Sequence, residues 1–498
     1  MKTTHAAHRN PARGTRRGAL ALVAGIAGWL AAPALAQDLT VKAPPQSRPV
    51  AIVNAAIHPV SSAPIEQGYV LFDGGTIRAV GAMGDAPTFP DGTEVINAKG
   101  QRVYPGLIAP ATQIGLVEIS SVRATRDFLE TGDISPEVVA AVAVNADSTL
   151  IPVTRQNGVL SFGAFPSGGG TFPGTASVMQ NEGWTWEEMT VRRSAGLVVS
   201  WPLMRVVRSP FVQRSEAEQS QDISRRVGAI RDAFVGARAY LAQRASDPST
   251  PVDVRWEAFG DALGGRASPQ TRPVFVEAQD YDQITAAVAF ADEMDLKIVI
   301  VGGRDAGLCA DLLRQRDIPV IIDAPVLLPR RDDSPYDENY GLAGRLERAG
   351  VRFALNTGEE TARERNLPYS AGISVAHGLS NEAALRAITL GAAEILGVAD
   401  QLGSLQPGKR ATLFIANGDP LEVTTDISRA FIQGRAVDMS SKHSVLASKY
   451  RERYRQQRSG ASESGLPVAA PGAPARPSDA GTTAAPANAP TRSTTQQR

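Results

Sequence analysis

Short runs of alternating apolar and polar residues occupy two separated stretches of the chain, and longer strand-and-helix units fill the span between them. In the first stretch, Val50-Ala51-Ile52-Val53 and Tyr69-Val70-Leu71-Phe72 read as strands. The turn Asp73-Gly74-Gly75 then leads into Thr76-Ile77-Arg78-Ala79-Val80, and alternation on both sides of such a turn predicts a β-hairpin. A further strand at 94–98 leads through Lys99-Gly100 to Val103. The same chemistry returns at Ala411-Thr412-Leu413-Phe414-Ile415 and at 430–435. A β-unit supplied by both ends of a chain implies a domain interrupted by another, with 50–103 and 401–440 forming one composite β-sandwich.

Between them, residues 104–400 alternate apolar strand runs with helical periodicity, the signature of a parallel α/β architecture. Strands are predicted at 159–164, 197–200, 274–277, 298–301, 320–323 and 352–355. Helices are predicted at 222–244, 281–294, 305–316 and 381–396. In the last, Leu385, Ile388, Ala392 and Ile395 share one face, Ser380 is placed to cap and Gly397 to terminate. A span of this size fits one (β/α)8 TIM barrel better than two doubly wound sheets.

The two ends of the chain read as separate from the fold. Lys2, Arg9, Arg13, Arg16 and Arg17 precede the apolar stretch 18–32, and Ala34-Leu35-Ala36 supplies a small-x-small cleavage site, so residues 1–36 read as an export signal. The stretch is too short and Gly/Ala-rich for a membrane span. Thr15-Arg16-Arg17-Gly18-Ala19-Leu20 resembles a twin-arginine signal without the aromatic residue that usually follows the pair, and both export routes stay open. The mature chain is expected to start at Gln37 and to be periplasmic or secreted. Residues 441–458 read as a basic, solvated helix. Residues 459–498, rich in Ala, Pro, Ser and Thr, bury too little surface to order and read as a disordered tail.

Composition narrows the partners. Fifty-one Lys+Arg balance 51 Asp+Glu, which removes a basic nucleic-acid surface at whole-chain level, and 43% hydrophobic residues exclude wholesale disorder. A single Cys excludes a disulfide framework and any thiolate zinc cluster.

Tyr104-Pro105-Gly106-Leu107-Ile108 resembles the entry into the first barrel strand of the amidohydrolase superfamily. Gly403-Ser404-Leu405-Gln406-Pro407-Gly408-Lys409, Asn417-Gly418-Asp419-Pro420-Leu421 and Phe431-Ile432-Gln433-Gly434-Arg435 resemble its return into the small β-domain, and the imidazolonepropionase-like branch is the nearest likeness. The resemblance implies a β-sandwich beside a barrel that holds zinc, with hydrolysis of C–N bonds by a metal-activated water and a carboxylate base. It also implies two His, one residue apart, after the Pro-Gly-Leu-Ile motif. Here those positions are Ala111 and Gln113. The later ligand positions fall on Val276-Glu277 and Val301-Gly302-Gly303, and the expected Asp falls on Gly358. Lys297 precedes a strand, so no bridging lysine is in place.

The histidine count agrees without any alignment. Of five His, His5 and His8 leave with the signal; His58, His377 and His443 remain, too few for a site of about four imidazoles. His377 reads as a packed or capping residue and Cys309 as a core residue. No metal or cofactor is therefore expected, although the family would imply zinc. The groups left around the mouth are Gln113, Glu277, Arg304, Asp323, Asn356 and Glu359, read as ligand-binding. Glu277, Asp323 and Glu359 could hold Ca²⁺ or Mg²⁺ through oxygens; a solvated pocket with salt bridges to Arg304 is the favoured alternative. Ser167-Gly168-Gly169-Gly170-Thr171 reads as a turn near the mouth, and Trp184 with Trp186 as barrel-wall packing.

Two functions remain. One is a metal-free pseudoenzyme that binds a small ligand or a protein partner such as a paralogous amidohydrolase, with homo- or hetero-oligomers allowed. The other is a hydrolase of amide, cyclic amide or dipeptide-like C–N bonds working through an atypical site. A wall-associated structural protein is a weaker third.

Overall fold

The computed structural model describes residues 37–38, 40–168, 170–358 and 360–464. The export signal, Glu359 and the chain beyond 464 lie outside the described residues. The chain divides into two compact units, Met1–His443 and Ser444–Arg498.

In the first unit, one eight-stranded sheet draws on both ends of the fold. Strands β1 (Val50–Ile57), β2 (Ile65–Asp73) and β3 (Thr76–Ala82) form an antiparallel meander, with the two-residue turn Gly74-Gly75 joining β2 to β3. Strands β4 (Glu94–Asn97) and β5 (Arg102–Pro105) run parallel to successive halves of β1. Strand alternation sends Val50, Ile52 and Ile57 into one apolar cluster and Ala51 and Val53 into another, so both faces of this sheet are covered.

The second sheet is the barrel. Its strands follow chain order: β6 (Leu107–Thr112), β7 (Val159–Ala164), β8 (Gly174–Gln180), β9 (Thr190–Ser200), β10 (Val274–Ala278), β11 (Ile298–Gly302), β12 (Val320–Ile322) and β13 (Phe353–Leu355). Back in the first sheet, β14 (Leu413–Ala416) pairs with β5, and β15 (Ile427–Ile432) and β16 (Arg435–Val437) complete that edge. The fold is thus an α/β TIM-type barrel with a separate sheet domain.

Seven of the eight barrel strands are mutually parallel, but β8 runs antiparallel to both β7 and β9. The connections into and out of β8 are short, and the second holds only the one-turn helix Trp186–Met189, so the chain reverses there instead of wrapping over the barrel. From β9 onward helices return: α1 (Glu216–Ser246) and α2 (Tyr281–Glu293) follow β9 and β10. Val198, Phe275, Val299, Ile321 and Ala354 fill the interior, while Val274, Val276, Ile300 and Val320 face the helical layer. Strands buried on both faces read as continuous apolar runs, which is why they were visible in the sequence.

The helix predicted at 381–396 is two, α3 (Asn381–Ala387) and α4 (Leu390–Ile395). The break frees the Ile388 carbonyl to accept from Ile108 N at 2.8 Å, a bond to the first barrel strand. The Ser380 hydroxyl caps α3 as predicted, accepting from Ala383 N at 3.1 Å. In the second unit, α5 (Lys442–Ser464) extends past residue 458. Residues 459–464 are therefore helical instead of tail, with the Ser459 hydroxyl donating back to the carbonyl of Arg455 at 3.0 Å. No described helix is long and apolar enough to cross a membrane.

Phe275 is fully buried in the barrel interior, edge-on to Phe165 at 4.9 Å. Phe275→Ala is expected to cost about 3–5 kcal/mol, measured as a lowered midpoint in chemical denaturation with an unchanged slope.

Candidate functional site

Strand parity builds the barrel mouth. Ser200, Glu277 and Asp323 lie two residues beyond the interior positions Val198, Phe275 and Ile321, and Asn356 two beyond Ala354, so all four point inward at the C-terminal ends of their strands. Ser200 donates from its hydroxyl to Glu277 Oε2 at 2.6 Å, and Gln279 Nε2 donates to Asp323 Oδ2 at 2.9 Å. Burial, reinforced by the nearby Asp323 carboxylate, raises the Glu277 pKa, while the Ser200 hydroxyl opposes the shift.

Glycine shapes this rim. Gly302 has φ +100°, and a Cβ there would lie 2.1 Å from Gln279 Nε2, so the Gln279–Asp323 bond needs glycine beneath it. Gly358, at the position where the family resemblance implies an Asp, has φ +115°, a backbone that side-chain-bearing residues rarely adopt. The local backbone therefore suits glycine.

The first and last strands are stitched together. Asn356 Nδ2 donates to the Ala111 carbonyl at 2.6 Å, and Asn356 Oδ1 accepts from Thr357 N at 3.0 Å. Beside this junction lies Glu364, on the 3-10 turn Thr361–Asn366 and 1% exposed. Burial pushes its carboxyl up to about 8, against smaller lowering effects from the hydroxyls of Thr357 and Thr112. Glu364 Oε2 and the Oγ1 atoms of both threonines are buried and complete no hydrogen bond of good geometry among the described residues. Sequence reasoning missed Glu364, because Thr361-Ala362-Arg363-Glu364-Arg365-Asn366 looks like a solvated charged turn. Only barrel closure buries it.

The other expected residues fall as follows. Gln113 follows β6 and is half-buried. Arg304 makes no ion pair among the described residues, and its Nε is buried without an acceptor there. The nearby acids are taken instead by a loop over the mouth: Arg330 pairs with Asp280, and Arg331 donates to Asp305 at 2.5 and 3.1 Å. Glu359 lies outside the described residues. His377 sits at the C-terminal end of the helix Leu367–Ala376 with its ring 4.9 Å from that of Tyr340. Cys309 is buried, and burial pushes its thiol up to about 11. Thr171 is tied to Asp133, and Trp186 packs on the core while Trp184 is exposed.

The donor set does not fit the zinc that the resemblance implies. Ala111 offers no donor side chain, Gln113 only an amide, and positions 302, 303 and 358 are glycine. Among the described residues no three His, Cys, Asp or Glu side chains converge as metal ligands.

With this geometry in view, comparisons with known proteins fall into place. The amidohydrolase family model matches residues 338–443. The curated "Amidohydrolase tasK" of Hapsidospora irregularis is 22% identical over 402 residues, 74% of this chain. The chain spans only 40% of the length of that relative. The crystal structure of an amidohydrolase from Thermotoga maritima MSB8 superposes with a TM-score of 0.67 at 24% identity, over 78% of this chain and 99% of the other. The chain is thus similar to amidohydrolase-superfamily proteins, in sequence over residues 338–443 and in fold over most of its length.

A carboxyl with a raised pKa keeps its proton in the folded state where the unfolded chain has lost it. Its contribution to stability is full below the ordinary carboxyl value of 4.5 and is lost as pH rises through about 8. Wild-type stability should therefore fall across that window by up to about 1.4 kcal/mol per pH unit from this group. Glu364→Gln should flatten that part of a denaturation-versus-pH series.

Proposed function

We propose that this chain is an exported amidohydrolase-superfamily protein that binds a small polar ligand at its barrel mouth without metal-assisted hydrolysis. The observation behind this reading is the cluster of Thr112 Oγ1, Thr357 Oγ1 and Glu364 Oε2, three buried polar atoms that face one another beside the β6–β13 junction and complete no hydrogen bond of good geometry among the described residues. Buried polar groups are ordinarily satisfied, so such a cluster marks a place where a ligand or ordered water completes the bonding. With Glu364 pushed up to about 8, its carboxyl is mostly neutral at pH 7. A neutral acid and two hydroxyls present donors and acceptors without net charge, which suits an uncharged amide or cyclic amide better than an ion.

Export is supported by the basic, apolar and small-x-small order of residues 1–36. A paralogous amidohydrolase is the protein partner that a non-catalytic member would serve, as a homo- or hetero-oligomer.

The hydrolase-type matches and the raised pKa of Glu277 favour a second reading. Here Glu277, hydrogen-bonded to Ser200, protonates a leaving nitrogen in a metal-independent hydrolysis of an amide or dipeptide-like C–N bond.

The test is metal analysis of the purified mature chain together with hydrolysis assays on N-acyl amino acids, cyclic amides and dipeptides. The proposal expects substoichiometric zinc and no turnover. Stoichiometric zinc with turnover abolished by a chelator would overturn it. Turnover that resists chelation but falls at least 100-fold in Glu277→Gln would establish the second reading in its place.

A further inference from the structure

At the opposite end of the barrel from the mouth, the N-terminal ends of β10 to β13 surround a recess of about 440 Å³. Its wall is unusually cationic, with Arg266, Arg272, Lys297, Arg316 and Arg352 all lining it. Their partners divide unevenly. Arg266 and Arg316 share a single carboxylate, Asp292, each at 2.8 Å, and Arg352 pairs with Asp317 at 2.9 Å. Glu394 also reaches the recess, but both its oxygens accept from Arg386, at 2.7 and 2.6 Å.

Two cations are left without a carboxylate. Lys297 donates only to the Ser268 carbonyl, at 2.5 Å, and the Arg272 side chain has no hydrogen bond or ion pair among the described residues. Arg192 adds a third positive group at the rim. Its Nη1 lies close to Gly397, a lining residue, and is buried without an acceptor, while its nearest carboxylate, Asp400, is 4.0 Å away and mostly exposed. Burial first and the charge of Arg272 second lower the Arg192 pKa, against a smaller raising effect of Asp400, so the two guanidiniums repel each other. Like charges held together in a recess are costly unless an anion is supplied from outside.

We propose that this recess is a binding site for a small oxyanion of the phosphate or sulfate class, held by Arg272, Lys297 and Arg192. Guanidinium forks match tetrahedral oxyanions in two-pronged hydrogen bonds, and an ammonium adds a point charge. The volume leaves room for an organic group on the anion, so free phosphate and a phosphomonoester share the same chemistry. Phe275, Val299 and Ile321 fill the barrel interior between this recess and the mouth. The site is thus separate from the mouth and independent of what the mouth does.

Calorimetric titration and thermal melting of the full mature chain test this, with inorganic phosphate and glycerol phosphate compared against chloride at matched ionic strength. Saturable binding and a melting temperature raised above the chloride control are expected. Tighter binding of glycerol phosphate would identify the carried form, and equal binding the free anion. Arg272→Gln and Lys297→Gln, each with an unchanged circular dichroism spectrum in chloride, should each weaken binding at least tenfold, about 1.4 kcal/mol. No saturable effect beyond chloride, or both variants binding like the parent chain, would overturn the proposal.

Discussion

The barrel depends on how its last strand meets its first. A sheet of eight strands leaves two edges of unpaired N–H and C=O groups unless it closes. Here β13 is only three residues long, and closure falls to two bonds outside the regular ladder: Asn356 Nδ2 to the Ala111 carbonyl and Ile108 N to the Ile388 carbonyl. The second exists because the helix predicted at 381–396 breaks at Ile388 and Thr389. Closure in turn brings Thr112, Asn356, Thr357 and Glu364 to one place, although they come from the end of β6, the residues just after β13 and the 3-10 turn that follows. A charged Glu364 there would be expensive to bury, and the group stays protonated instead.

The same junction is where the superfamily resemblance implies a metal. Its two first-strand ligand positions are Ala111 and Gln113, and the position of its last-strand carboxylate is Gly358. In this chain the Ala111 carbonyl and the Asn356 amide satisfy each other across that gap. Gly302 and Gly358 have positive φ, a backbone that suits glycine. The two ends of the barrel also differ electrostatically. The mouth holds Glu277 and Glu364, whose pKa values burial raises, and the opposite end gathers cations that exceed their carboxylate partners.

Much of this architecture was legible in the sequence because apolar runs and turn residues act locally. The hairpin at Asp73-Gly74-Gly75, the strands from 274 to 355 and the return of the chain ends to one sheet follow from short-range pattern. The reversal of β8 was not legible, since a buried strand is equally apolar whichever way it runs. Nor was the break between α3 and α4, where helical periodicity continues through Ile388 and a tertiary bond overrides it. Of the expected mouth residues, Glu277, Asp323 and Asn356 were found by placing strand ends. Arg330 and Arg331, which hold Asp280 and Asp305, were not anticipated, because they come from a loop whose course no local pattern specifies. Glu364 escaped notice because its burial is created only when the barrel closes.

The claim at the centre of this account is that the mouth is organised around hydrogen bonds and not around a metal. Crystals grown with excess zinc, measured on both sides of the zinc absorption edge, test it directly. The account predicts no anomalous peak among Thr112, Gln113, Glu277, Asp323 and Asn356, with the Asn356–Ala111 bond intact. A fully occupied zinc peak within coordination distance of those side chains would contradict it.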